Sequence, residues 1–130
     1  MEAKALGAWG EQVACEYLVS NGFVILGKNY RIALGEIDVI ARKKRSIFAP
    51  SDTTIHFIEV KTLASSSAIA PEQHVDARKQ RKLAALCQVW LKHHGFAADY
   101  PYQIDIVAII GTPGSRPKIE YFFNAFGDYS

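Results

Sequence analysis

The chain has 130 residues, 49% of them hydrophobic and 22% charged, with a formal net charge of +2. One domain spanning 1–130 is the expectation at that length, and the composition excludes a disordered tail, a collagen-like fibre and a disulfide scaffold. No apolar run approaches the roughly 18 residues of a membrane helix. Glu2, Lys4, Glu11 and Glu16 within the first twenty residues are foreign to a secretory signal. Cys15 and Cys87, the chain's two cysteines, have no His or Cys at metal-ligand spacing and read as free thiols in a reducing cytoplasm.

In chain order, Leu6, Trp9, Val13 and Tyr17 recur at helical spacing and predict a helix over 3–20, ended by Asn21-Gly22. Glu11 falls about 140° round from Leu6, at the margin of that apolar stripe. Residues 23–32 read as a strand interrupted near Gly27, and 35–41 (GEIDVIA) as a second. In the second, Glu36, Asp38 and Ile40 are expected on one face, with Ile37, Val39 and Ala41 on the other. A basic connection with Pro50-Ser51-Asp52 as its turn leads to a third strand over 55–62 (IHFIEVKT). That connection is too short for a crossover helix, so the second and third strands are expected to form an antiparallel hairpin. After the small-residue stretch 64–70, a helix begins near 71–75, buries Leu83, Leu86, Cys87 and Trp90, and stops at Gly95. Strands over 102–110 and 119–123 complete an α-β-β-β-α-β-β order, which implies one mixed sheet flanked by helices.

The small net charge conceals clustering. Eleven of the fifteen basic residues fall in 28–45 and 74–94, where Glu36, Asp38 and Asp76 are the only acids. Such clustering builds a positive face for phosphates, or simply solvates a loop and the back of a helix. Arg31, Lys79 and Lys82 are the candidates for nucleic-acid contact, the two lysines by touching a phosphate backbone without reading sequence.

Asp38, Glu59 and Lys61 stand inside strands otherwise apolar enough for the middle of a sheet. A buried charge must be paired, solvated in a cleft or bound to a cation. Period-two geometry places Glu59 and Lys61 on one face about 7 Å apart, and strand pairing can bring Asp38 to them. Two carboxylates from neighbouring strands suit Mg²⁺, which takes oxygen ligands and retains water. A lysine beside the ion can orient water or offset charge building on a phosphate. The same residues also make sense as a Glu59–Lys61 ion pair closing a strand, with Asp38 capping a turn. A bare Glu-x-Lys has little weight, for Glu2-Ala3-Lys4 is another at a helix start. Of the remaining acids, Glu36 is expected to be an accessory metal ligand or, the favoured reading, to bridge to Arg31. Asp105 is expected either to brace the site or to pair with an arginine.

Gly10-Glu11-x-x-Ala14, Asn29-Tyr30-Arg31, Gly35-Glu36-Ile37-Asp38-Val39-Ile40 and Phe57-Ile58-Glu59-Val60-Lys61-Thr62 follow one another, then Val75-Asp76, Lys79-Gln80 and Asn124-Ala125-Phe126. With them the chain resembles the YraN-like family of small bacterial proteins. That family lies within the PD-(D/E)XK nuclease superfamily, distantly similar to archaeal Holliday junction resolvases. Leu63 and Gln103-Ile104 depart from its pattern, where arginine and Arg-Phe are usual. The resemblance implies a restriction-endonuclease-like α/β core acting on DNA with Mg²⁺, or Mn²⁺ in its place. It implies Asp38, Glu59 and Lys61 as catalytic residues, and Glu11, Asp38, Glu59 and the Val60 carbonyl as metal ligands. It also implies a two-fold dimer as in the junction-cleaving relatives; no membrane partner is expected, given the shortness of the apolar runs. A nucleic-acid-binding module with the same fold and little turnover, and an interaction protein whose charges are merely structural, are the competing expectations.

Overall fold

A computed structural model describes residues 2–45, 52–65 and 77–125. The elements are α1 (Ala3–Ser20), β1 (Phe23–Ile32), β2 (Gly35–Lys43), β3 (Ile55–Leu63), α2 (Ala77–His93), β4 (Tyr102–Ile110) and β5 (Lys118–Phe122). The turn at Pro50-Ser51, the expected start of the second helix at 71–75, the motif residues Val75-Asp76 and Phe126 lie outside the described residues. Among the described residues no helix is long and apolar enough to cross a membrane.

The five strands form one mixed sheet in sequence order. Three neighbouring pairs are antiparallel and β3–β4 is parallel. The expected β2–β3 hairpin is therefore present. A parallel pair needs a long crossover, and α2 supplies it. Each helix covers one face of the sheet. On the α2 side Ile37, Ile40, Phe57, Leu86, Trp90, Leu91 and Ile106 form one core. On the α1 side Ala14, Leu18, Val39, Ala41, Ile58 and Val107 form the other. This matches the expected α/β architecture and element order. Gly22 and Gly95 stop the helices at φ +86° and +80°, the left-handed backbone that glycine adopts without a Cβ penalty.

The buried line of α1 is Gly10, Ala14 and Leu18, shifted from the expected stripe, with Trp9 and Val13 flanking it. Small residues lead because the helix comes close to β3 there. A Cβ on Gly10 would stand 2.8 and 2.9 Å from Thr62 Cγ2 and Cβ. In β2 strict alternation also fails. Ile37 and Ile40 pack together on the α2 side while Val39 and Ala41 face α1, so the face changes at Asp38. The interruption expected in β1 is a register shift between Ile25 and Gly27.

Candidate functional site

Asp38 stands where β2 leaves β3. Among the described residues the two strands pair from Val39↔Ile58 to Arg42↔Ile55. One residue further on, the Val60 N–H donates to Asp38 Oδ2 at 2.8 Å. A side-chain carboxylate thus takes a backbone donor beyond the end of the ladder, and the strands part around it. Of Val60, it is the amide that the structure engages. Burial pushes the Asp38 carboxyl up to about 6; the Val60 bond opposes this, while Glu11, Glu59 and Glu36 push the same way. A desolvated acid among like charges holds its proton more tightly.

Glu59 lies beside it on β3. Lys61 Nζ and Lys79 Nζ each lie 3.3 Å from Glu59 Oε1. Oε2 is buried with no hydrogen-bond partner among the described residues, as is the Tyr30 hydroxyl. Most buried polar atoms in folded proteins find a partner, so a bare carboxylate oxygen next to a second acid is an exception that calls for an account. The Glu59–Lys61 ion pair read from the sequence is present. Lys79, expected only as a phosphate contact, reaches from the first turns of α2 to the same oxygen. A cleft of about 170 Å³ opens beside them, lined by Gly35, Glu36, Glu59, Lys79, Lys82 and Leu86.

Glu36 bridges to Arg31 at 3.0 Å across the β1–β2 pair, as expected. Glu11 lines a different and wider cleft between α1 and β1, with Gln12, Glu16, Lys28 and Asn29. There Asn29, at φ +51° and with its amide turned to donate, lies 3.2 and 3.3 Å from the two Glu11 oxygens. Glu11 still bears on Asp38 through its charge. Among the described residues no three Asp, Glu, His or Cys side chains are grouped closely enough to hold a metal ion by themselves. What the fold brings together is a pair of acids, which is how Mg²⁺ is commonly held when substrate phosphate and water complete its shell.

Asp105 does not pair with an arginine, and none of its bonds reaches Asp38 or Glu59. It is fully buried and takes His56 Nδ1 at 2.7 Å, Gln103 Nε2 at 2.8 Å, the Asn124 N–H at 2.7 Å and the Tyr121 hydroxyl. Gln103, a departure from the family pattern, thus serves as one of its donors. Cys15 and Cys87 are free, the latter buried, and desolvation raises both thiols. Sequence reasoning missed the Lys79–Glu59 contact and the orphaned Tyr30 hydroxyl. Lys79 is 20 residues from Glu59, beyond any local spacing rule, and Tyr30 was visible only as part of a motif.

Two helices on one mixed sheet, with an acid from each of two parting strands and lysines from β3 and α2 around them, define the class: an α/β domain with a strand-borne acid–lysine site. Residues 10–109 match the family described as "Uncharacterised protein family UPF0102". The chain belongs to that family, as its YraN-like motifs indicate. It is 33% identical over 123 residues to a UPF0102 protein of Trichlorobacter lovleyi, covering 95% of this chain and 91% of the relative. A UPF0102 protein of Caldanaerobacter subterraneus subsp. tengcongensis is 34% identical over 125 residues, 95% of each chain. One of Alkaliphilus metalliredigens is 36% identical over 124 residues, 95% of this chain and 99% of the relative.

Proposed function

We propose that this chain is a divalent-metal-dependent endonuclease that hydrolyses phosphodiester bonds of DNA, with branched or flap structures as the preferred class. The observation that carries the reading is Glu59 Oε2, buried and unpartnered among the described residues beside a second acid whose proton affinity is raised by burial and, less, by the acids around it. Asp38 and Glu59 would hold Mg²⁺ or Mn²⁺, with substrate phosphate and water completing its shell; Glu11 would have to leave its own cleft to join them. Bound there, the ion would polarise the phosphoryl group and lower the pKa of a water. Lys61 would orient that water or offset the charge that develops on the phosphate, a role for which its ammonium is already at Glu59. Hydrolysis forms one bond from the water oxygen to phosphorus and breaks one phosphorus–oxygen ester bond, the leaving oxygen taking a proton. Arg31, Lys79 and Lys82 would hold the phosphate backbone; they surround the cleft or pair with its acids.

The test is cleavage of single-stranded, duplex, flap and four-way-junction DNA with Mg²⁺ or Mn²⁺, beside Glu59→Ala and Asp38→Ala. Cleavage by the parent and its loss in both variants, with melting preserved, supports the reading. Salt-sensitive DNA binding without cleavage replaces it with a binding module, which the full engagement of Glu59 Oε1 by two lysines favours as the alternative.

A further inference from the structure

At the other end of β3 from Lys61, on the α1 side of the sheet, three rings form a column that runs from the core into solvent. Phe23 is 6% exposed. Tyr121 stacks on it at 6.2 Å between centroids and 22° between planes. Phe123 stacks on Tyr121 at 3.9 Å and 27°, and is 56% exposed. His56 braces the column, edge-on to Phe23 at 5.2 Å and to Phe123 at 6.5 Å.

An open phenylalanine normally gains by folding back against the protein. Here the residues on either side of it are tied down. The Tyr121 hydroxyl and the Asn124 N–H both donate to buried Asp105, and Asn124 turns the chain at φ +49°. A fully buried carboxylate with four donors therefore holds one ring out in solvent. Lys43 Nζ lies 5.9 Å from the Phe123 centroid, and exposed Lys44 and Arg45 follow it in the chain. An aromatic face beside Lys43, whose half-exposed ion pair with Asp52 at 3.7 Å a phosphate can replace, fits a ligand that has both planar rings and phosphates.

We propose that Phe123 is a stacking platform for an unpaired base of single-stranded DNA, with Lys43, Lys44 and Arg45 meeting the phosphates of the same strand. Base–aromatic stacking tolerates any base, so the platform confers a preference for unpaired strand rather than for sequence. In a duplex the base faces are already stacked on one another and the platform has nothing to take. The inference rests on nucleic acid being the ligand, as in the proposed function, and needs neither metal nor cleavage.

The experiment is fluorescence anisotropy in EDTA with a labelled oligothymidylate of about twelve nucleotides and a blunt duplex of equal length. Phe123→Ala and Phe123→Trp are compared with the parent. Phe123→Ala is expected to weaken single-strand binding about tenfold and duplex binding less than twofold. Phe123→Trp should bind the single strand at least as well as the parent, and neither variant should shift the melting temperature. The proposal is overturned if the parent does not bind the single strand, or if the alanine variant loses less than twofold on it. Equal losses on single strand and duplex also overturn it. So does a change of oligomeric state in Phe123→Ala, since the ring would then be a contact between copies. An inactive nuclease that still shows the single-strand difference would remove the catalytic reading and leave this one intact.

Discussion

Asp38 and Asp105 are two acids set in the strands that flank β3, and the fold treats them in opposite ways. Burial alone would push both carboxyls up. At Asp105 it does so too, but bonds from His56, Tyr121, Gln103 and Asn124 outweigh it and hold the group below its ordinary value. Asp38 has one such donor, Val60, and three acids nearby, and its pKa stands at about 6. A carboxylate provided with every donor it can use is a structural part. One left short of donors among like charges costs stability, and it persists where something else compensates.

The widest separation is expected on removing the carboxylates. Asp105→Ala leaves four donors around a buried hole and should destabilise the protein by about 3–5 kcal/mol. Denaturant unfolding reads this as a fall in midpoint. Asp38→Asn keeps an oxygen for the Val60 N–H and removes the uncompensated charge. It should therefore stabilise the metal-free protein, by about 3 kcal/mol at pH 7. A loss of stability in Asp38→Asn would make the acid a structural cap and end the contrast.

The same contrast has a pH signature with two limbs of opposite sign. The folded pKa of Asp38 lies above the 3.8 of an unperturbed aspartate, so the folded state binds the extra proton between about 4 and 6. From this group stability falls as pH rises through that window. Asp105 has a folded value below 3.8; its contribution is present above that pH and is lost as pH falls through the folded value. Melting temperature in EDTA should rise from pH 7 to 5 and collapse below 4. Asp38→Asn should flatten the first limb and leave the second. A first limb equally steep in that variant would assign it to other groups.

Smaller in scale is the approach of α1 to β3. Gly10→Ala places a methyl against Thr62, an overpacking that should cost about 1–3 kcal/mol. It should also move Glu11, the next residue, away from Asp38. If Glu11 serves the site, Mn²⁺ affinity measured by calorimetry should fall with stability. A destabilised variant with unchanged affinity would confine Glu11 to its own cleft.

Much of this architecture was legible because it is written in local periodicity. Strand and helix patterns, the Gly22 and Gly95 stops and the break near Gly27 depend on near neighbours in the chain. The β2–β3 hairpin followed from the shortness of its connection. The acid pair was legible because charges inside apolar strands demand an account, and the motif order sharpened it. What failed depends on contacts distant in sequence. The α1 stripe is centred on small residues because Thr62 needs the room, and the change of face at Asp38 reflects where β2 parts from β3. Asp105 looked like an isolated acid because three of its four donors come from β3, β5 and the turn after it.

The finest test concerns the lysines that now occupy Glu59. An exposed ion pair contributes about 0–1 kcal/mol, and Lys79 is the more open of the two, at 43% against 30% for Lys61. Lys79→Met should therefore change melting by little. Its effect should appear in ligand binding, because a cation and Lys79 compete for the charge on one carboxylate. With that ammonium gone, Mn²⁺ should bind a few-fold more tightly to the free protein, while DNA binding weakens and becomes less steep in salt. A tighter metal together with weaker DNA would make Lys79 a residue that leaves Glu59 for a phosphate when substrate and ion arrive. If both affinities stay as in the parent, the contact is only part of the α2 packing, and the contrast with Asp105 then rests on Asp38 alone.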